Sequence, residues 1–310
     1  MAKYIITGGS SFIGVALSEL LISMGHEVFI VCRNSTKTID KIPQSNLLKI
    51  IFYEDISDIK SIVNFIDDAD VFIHLAWAGT SHEGRNDRHL QEENIHYSLE
   101  AIHIAKKLGC KLFVESGSQA EYGYTTDLIT EESPCHPENE YGKAKLEFGG
   151  LATELCGELG LKYIHLRIIS IYGDTDHLWT LVMSSIKKML NNEDIELSDC
   201  TQKWNFVYIK DAVKQMYSVC KYALANPDFK AEVYHIGSDD TRPLIEFIQE
   251  MYELTNSHSR LLFGAYKPAN VVSLNPSMNK TKIATGGFVS DYSFHEVVKK
   301  IIKNFEGGLL

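Results

Sequence analysis

Tyr141 and Lys145 stand four apart in the stretch Tyr141-Gly-Lys-Ala-Lys145. At the start of a helix that spacing puts both side chains on one face. There an ammonium lowers the pKa of a phenol and holds a ribose hydroxyl, while the phenol exchanges a proton with a substrate. Ser118 follows an apolar run at 111–116, where its hydroxyl suits a hydrogen bond to the same substrate oxygen. A third signal is TGGSSFIG at 7–14. Glycines permit a tight turn and let backbone N–H groups approach a pyrophosphate at a helix N-terminus, where the dipole favours anions.

Such side chains need a frame. Residues 3–7 (KYIIT) form a short apolar run, and Ile13, Leu17, Leu20, Leu21 and Met24 then recur at helical spacing until Gly25 closes the helix. Residues 28–32 (VFIVC) are a continuous apolar run, as in a parallel strand covered on both faces. The alternation continues with strands at 47–53, 71–76, 111–116, 163–169 and 233–236, and with helices around 59–65 and 95–108. Because a parallel connection needs a crossover helix, the pattern predicts an α/β fold with a doubly wound parallel sheet. After Tyr172 the rhythm weakens: 174–203 read as a helix at 179–190 and a short edge, 204–236 return to the sheet, and 237–310 mix helices with loops. The expected division is a dinucleotide-binding domain of residues 1–173 plus 204–236 and a substrate-binding lobe of 174–203 plus 237–310. A cleft is expected where the lobe meets the strand ends.

Composition sets the outer limits. With 45% hydrophobic and 23% charged residues, the chain of 310 residues can bury a large core. Lys+Arg 30 against Asp+Glu 41 gives a net charge of −11 and no basic stripe, which argues against nucleic acid as the main partner. No apolar run approaches the roughly 20 residues of a membrane span, and the start shows no signal-like region, so a cytoplasmic protein is expected. The 6 cysteines form no CxxC pair and the 12 histidines are scattered, so free thiols and no metal site are expected.

Taken in order, TGGSSFIG, HLA (74–76), SGSQAEYG (116–123), YGKAK (141–145), LRIISIYG (166–173) and FVYIKD (206–211) resemble the extended short-chain dehydrogenase/reductases that act on nucleotide sugars. The resemblance covers about the first 240 residues. It implies a Rossmann fold, a nicotinamide dinucleotide cofactor, a nucleotide-sugar substrate and a homodimer through the long helices around 95–108 and 141–156. Tyr141 would be the acid/base, Lys145 its pKa tuner and ribose anchor, and Ser118 the polariser of the sugar oxygen. The cofactor would meet Gly8, Ser11, Phe12, Ile13 and Gly14 at the turn, Asp55 and Ile56 at the adenine, and Leu75, Ala76, Ser116, Tyr141 and Lys145 further along. Trp77, Thr80, Ser118, Gln119, Tyr141 and Ser170 would line the sugar site, with Trp77 equally placed for core packing. The polar stretch 82–89 reads as a loop over the cleft, whose Arg85 and Arg88 suit a phosphate or plain solvation. Asn94 reads as a family position or a helix cap.

Departures from the pattern sharpen the reading. Ser11 replaces the middle glycine, which is expected to crowd the turn. The second strand ends in Cys32-Arg33 where NAD-specific relatives carry a carboxylate, and a guanidinium suits a 2′-phosphate. NADP(H) is therefore favoured, with NAD(H) remaining open. Gln119-Ala120 stands where dehydratases carry Asp-Glu, which argues against dehydration. Ser170 and Trp204 replace an Asn and an Arg that usually help hold the diphosphate, with Arg260 and Lys267 as potential substitutes. The leading expectation is a 4-keto reductase of a deoxysugar pathway. An NAD-dependent epimerase would use the same three residues, and a non-catalytic NADP(H) sensor would need none of them.

Overall fold

In β1 (Lys3–Thr7) neighbouring Ile5 and Ile6 are both fully buried, and since they point to opposite faces the strand must be covered on both. The computed structural model describes residues 1–33, 40–81, 83–126, 128–267 and 272–308. After β1 come α1 (Phe12–Ser23), β2 (Glu27–Arg33), β3 (Leu48–Tyr53), a 3₁₀ helix (Ile56–Asn64) and β4 (Val71–His74). A 3₁₀ turn (Gly84–Asn86) leads to α2 (Arg88–Lys107), β5 (Leu112–Ser118), a second such turn (Gln119–Glu121), α3 (Glu140–Leu159) and β6 (Lys162–Ile168). The remainder is β7 (Ser170–Tyr172), α4 (Leu181–Leu190), β8 (Ile195–Glu196), β9 (Lys203–Tyr208), α5 (Ile209–Ala225), β10 (Ala231–Ile236), β11 (Thr241–Pro243), α6 (Leu244–Leu254), β12 (Leu261–Leu262), α7 (Asn279–Ala284) and α8 (Phe294–Glu306).

Seven strands pair in the order β10-β6-β5-β4-β1-β2-β3, all parallel, which is the doubly wound sheet expected from the sequence. Tyr4, Ile6, Val28 and Ile30 face Leu17 and Leu21 of α1 and Cys220 of α5. Ile5, Phe29, Phe72 and Phe113 face Ile102 of α2 and Phe148 of α3. The first of these cores runs on into Val182, Phe206, Phe247, Phe294 and Ile301, so the C-terminal elements share it.

Three local expectations change. The segment expected as a helix around 59–65 is a 3₁₀ helix beginning at Ile56, with Asp55 and Asp58 capping each other's backbone and with Ile59 and Ile62, three apart, buried. β9 does not rejoin the parallel sheet: it pairs with β7 and antiparallel with β11 in a three-stranded mixed sheet. Phe206 of β9 packs its ring on Phe247 and Phe294, which draws the strand to the smaller lobe. α2 starts at Arg88, about two turns before 95, because Asp87 caps it by accepting from Leu90 N at 3.2 Å. Among the described residues no helix is long and apolar enough to cross a membrane, and no group of three or more His, Cys, Asp or Glu is arranged to hold a metal ion.

Candidate active site

The strand order reverses between β1 and β4, and a crevice opens at the carboxyl ends of such a pair. Gly8 lies there at φ +65°, and a Cβ on it would meet Ala76 N at 2.8 Å and the Leu75 carbonyl carbon at 2.9 Å. A Cβ on Gly14 would come 2.6 Å from Gly8 O. Only glycines let the turn, α1 and the Leu75–Ala76 backbone close together. Ser11 is exposed and caps α1, its Oγ accepting from Gly14 N at 3.1 Å, so the crowding expected of it does not arise. The first-turn N–H groups of Phe12 and Ile13 have no intrahelical acceptor and stand at the positive end of the helix. That cradle fits the pyrophosphate of a dinucleotide.

Arg33 is exposed at the end of β2, in register with Tyr53. Asp55 caps the following 3₁₀ helix, and the Ser57 N–H and hydroxyl, at 3.0 and 2.8 Å, hold its carboxyl below the usual range, with Arg33 adding to the effect. Ile56 beside it is half-buried.

Of the three residues expected to work together, Ser118 and Tyr141 are neighbours, and Lys145 stands one turn along α3 from Tyr141. Ser118 ends β5 in extended backbone, its Oγ accepting from Ala120 N at 3.1 Å. Asn139 caps α3 through Gly142 N at 2.8 Å, which turns Tyr141 and Lys145 inward, both buried. The Ser118 side chain lies close enough to the Tyr141 phenol to favour its ionised form. Lys145 Nζ donates to Ser116 O at 2.7 Å and lies 3.5 Å from the Trp77 ring centroid. Burial brings the Lys145 ammonium down to about 8, against the pull of Glu115 and Glu121. Burial pushes the Tyr141 phenol up, opposed by the Arg85 guanidinium and then by the Ser118 side chain.

Around this centre the other candidates fall out differently. Trp77 stands edge-on to Tyr141 at 6.3 Å and donates its Nε1–H to Gln91 at 2.7 Å. Arg85 stacks on the Tyr141 ring at 4.9 Å, so the polar stretch reaches the centre; His82 lies outside the described residues. Thr80 is exposed, and its carbonyl accepts from Arg85 Nε at 3.0 Å. Gln119 is half-buried in the turn after Ser118. Arg88 and Arg260 are surface groups paired with Glu92 and Asp194, and Lys267 is exposed. Asn94 is not a cap: buried on α2, it exchanges both bonds with Ala78, Oδ1 accepting at 2.9 Å and Nδ2 donating at 3.0 Å. The two departures Ser170 and Trp204 touch each other, Trp204 Nε1 donating to Ser170 Oγ at 3.3 Å.

A buried ionic network behind Ser118 escaped the sequence reading. Glu121 Oε1 accepts from Ser118 N at 2.7 Å, and its Oε2 takes Arg167 Nε at 2.7 Å and His165 Nε2 at 2.8 Å. His165 Nδ1 pairs with Glu115, whose Oε1 also accepts from the Tyr163 hydroxyl at 2.9 Å. Burial would pull the imidazole down, but the Glu121 and Glu115 carboxylates hold it up, at about 9. Two carboxylates thus face two cations. Register is the cause: Glu115 and Gly117 on β5 lie opposite His165 and Arg167 on β6, and a Cβ on Gly117 would strike His165 Nε2 at 2.4 Å. The signal was alternation, since charges at i and i+2 of a buried strand share one face. A cavity of about 370 Å³ lies beside this network, lined by Glu121, His165, Arg167, Gly149 and Lys280.

A glycine cradle at the switch point of a parallel sheet, next to a Ser, Tyr and Lys gathered on β5 and α3, defines the class: a dinucleotide-dependent α/β enzyme. The chain belongs to the NAD dependent epimerase/dehydratase family, whose model matches residues 4–237, and it is an NAD(P)-dependent enzyme of that family. It is 24% identical over 309 residues to a CDP-abequose synthase of Salmonella muenchen, covering 97% of each chain. It is 30% identical over 225 residues to a dTDP-6-deoxy-L-talose 4-dehydrogenase (NAD(+)) of Aggregatibacter actinomycetemcomitans, covering 68% of this chain and 77% of that one. A solved UDP-glucose 4-epimerase of Thermotoga maritima matches the fold with a TM-score of 0.85 at 22% identity, over 99% of this chain and 100% of that one.

Proposed function

We propose that this chain is an NADP(H)-dependent oxidoreductase of a nucleotide-activated sugar, a 4-keto reductase in deoxysugar biosynthesis. The observation that carries the reading is the buried contact of Ser118 with Tyr141, one helical turn from Lys145. Likeness to proteins named as a CDP-abequose synthase and a 4-dehydrogenase of a deoxysugar supports the substrate class.

A nicotinamide dinucleotide, when bound, supplies the hydride. Gly8, Ser11, Phe12, Ile13 and Gly14 would hold its pyrophosphate, Arg33 a 2′-phosphate, Asp55 and Ile56 the adenine, and Leu75, Ala76 and Ser116 the nicotinamide half. Ser118 orients the sugar oxygen through its hydroxyl. Tyr141 gives that oxygen its proton, and the phenolate left behind is stabilised by neighbouring cations. Lys145 adds its ammonium and a hold on the ribose. Trp77, Thr80, Gln119 and Ser170 are the proposed sugar-side contacts, and Gln119-Ala120 offers no acid/base pair for dehydration. We further infer a cytoplasmic homodimer through α2 and α3.

Titration of the purified enzyme with NADPH and NADH tests the cofactor assignment. Arg33→Glu is expected to weaken NADPH roughly tenfold or more while sparing NADH, since a phosphate contact is replaced by repulsion. Unchanged NADPH affinity would contradict the NADP(H) assignment, and stoichiometric NAD(H) released on denaturation would contradict a reductase and favour an epimerase.

A further inference from the structure

We infer that Arg85 is a second cation of the acid/base centre, a positioning residue whose guanidinium, stacked on the Tyr141 ring, stabilises the phenolate left after proton transfer. The inference rests on the proposed role of Tyr141. The placement itself is independent of it.

Lys145 is committed elsewhere. Its ammonium is bonded to the Ser116 carbonyl at 2.7 Å and lies on the Trp77 ring at 3.5 Å. It also loses its proton at about 8, inside the working range of an enzyme. A guanidinium keeps its charge throughout that range. Arg85 Cζ is 4.9 Å from the Tyr141 ring centroid, within cation–π reach, and its other partner, the Thr80 carbonyl, is uncharged. Ionisation turns this contact from an attraction to a quadrupole into an attraction between full charges, so the guanidinium favours the phenolate over the phenol.

The arginine is also held in place. Arg85 N donates to Ser81 O at 3.0 Å, and Gln91 Nε2 on α2 donates to Gly84 O at 2.9 Å and Gly79 O at 3.2 Å. A Cβ on Gly84 would stand 2.5 Å from Gly79 Cα, so glycine is what lets the turn close on itself. Gln91 Oε1 meanwhile accepts from Trp77. One glutamine therefore fixes both the ring that receives Lys145 and the turn that carries Arg85. The charges acting on Tyr141 are Arg85 from this turn, which favours ionisation, and Glu115 and Glu121 from β5 and the turn after it, which oppose it; Lys145 stands one turn along its own helix.

The test is a pH titration of the purified full chain carrying ¹³Cζ-tyrosine, followed by NMR, with the Tyr141 signal assigned by its loss in Tyr141→Phe. Arg85→Gln is expected to raise the pH of half-ionisation of Tyr141 by about one pH unit, a tenfold loss of phenolate at a given lower pH. Arg85→Lys is expected to restore part of that loss, and it carries the prediction if Arg85→Gln does not fold. The alkaline shift should reappear in the kcat/KM profile for sugar oxidation. A Tyr141 titration that ignores Arg85, including the case where only the KM for the nucleotide sugar rises, overturns the inference. If the titration moves but Tyr141→Phe turns over normally, the tuning stands and the catalytic reading of Tyr141 falls.

Discussion

Tyr141 and Lys145 show how local spacing can be read when spatial neighbours cannot. Residues four apart on one helix share a face whatever the fold, so this pair was legible from the sequence. Trp77 and Arg85 reach the same centre from another segment, and only the fold makes one a platform for Lys145 and the other a cation over Tyr141. Ser170 and Trp204, each read alone as a departure, form one hydrogen-bonded pair for the same reason. At this scale the lowered Lys145 ammonium makes a prediction. Its folded pKa of about 8 lies below the ordinary lysine value, so its charge is present at neutral pH and lost as pH rises through about 8. In a pH–rate profile at subsaturating cofactor, kcat/KM for cofactor is expected to fall on that alkaline side. A profile flat to pH 10 would count against a charged Lys145 as ribose anchor.

Elements explain what the sequence showed clearly and what it hid. The strand–turn–helix around Gly8 and Gly14 was legible because glycine in such a place has few other uses. Gly14→Ala puts a Cβ 2.6 Å from Gly8 O, an overpacking expected to cost about 1–3 kcal/mol in urea unfolding and to weaken the NADPH dissociation constant at least tenfold. Normal affinity in that variant would contradict the cradle. Hidden instead was the pairing of β5 with β6, which sets Glu115 against His165; single strands carry no register. The His165 imidazole is raised to about 9, so its stabilising charge is complete below its unfolded value near 6.5 and disappears as pH rises through about 9. The stability gap between the parent chain and His165→Gln should therefore be wide at pH 6 and narrow at pH 10 in denaturant titrations. A gap that widens with pH would mean that His165 is buried neutral. The exile of β9 from the main sheet was equally invisible, because it depends on Phe247 and Phe294 far along the chain.

At the scale of the whole molecule, the parallel sheet was legible because its strands are short apolar runs and helical patterns separate β1 from β2, β4 from β5 and β5 from β6. The smaller lobe was not, since β8, β11 and β12 are two or three residues long and too short to show a period. α2 and α3 pack on each other over one face of the sheet, and Leu151 of α3 is left exposed, in keeping with the proposed homodimer. Sedimentation at 35.0 kDa alone would contradict that assembly.

The proposed reaction turns on one event, hydride arriving at a sugar carbon while Tyr141 protonates the oxygen. The most direct measurement is mass spectrometry of the product after incubation with a 4-keto-6-deoxy nucleotide sugar and NADPH deuterated at the transferable position. One deuterium per product is expected, with the rate lowered roughly a hundredfold to ten-thousandfold by Tyr141→Phe. No deuterium in the product across CDP-, dTDP- and UDP-linked 4-keto sugars, or incorporation that survives Tyr141→Phe undiminished, would contradict it.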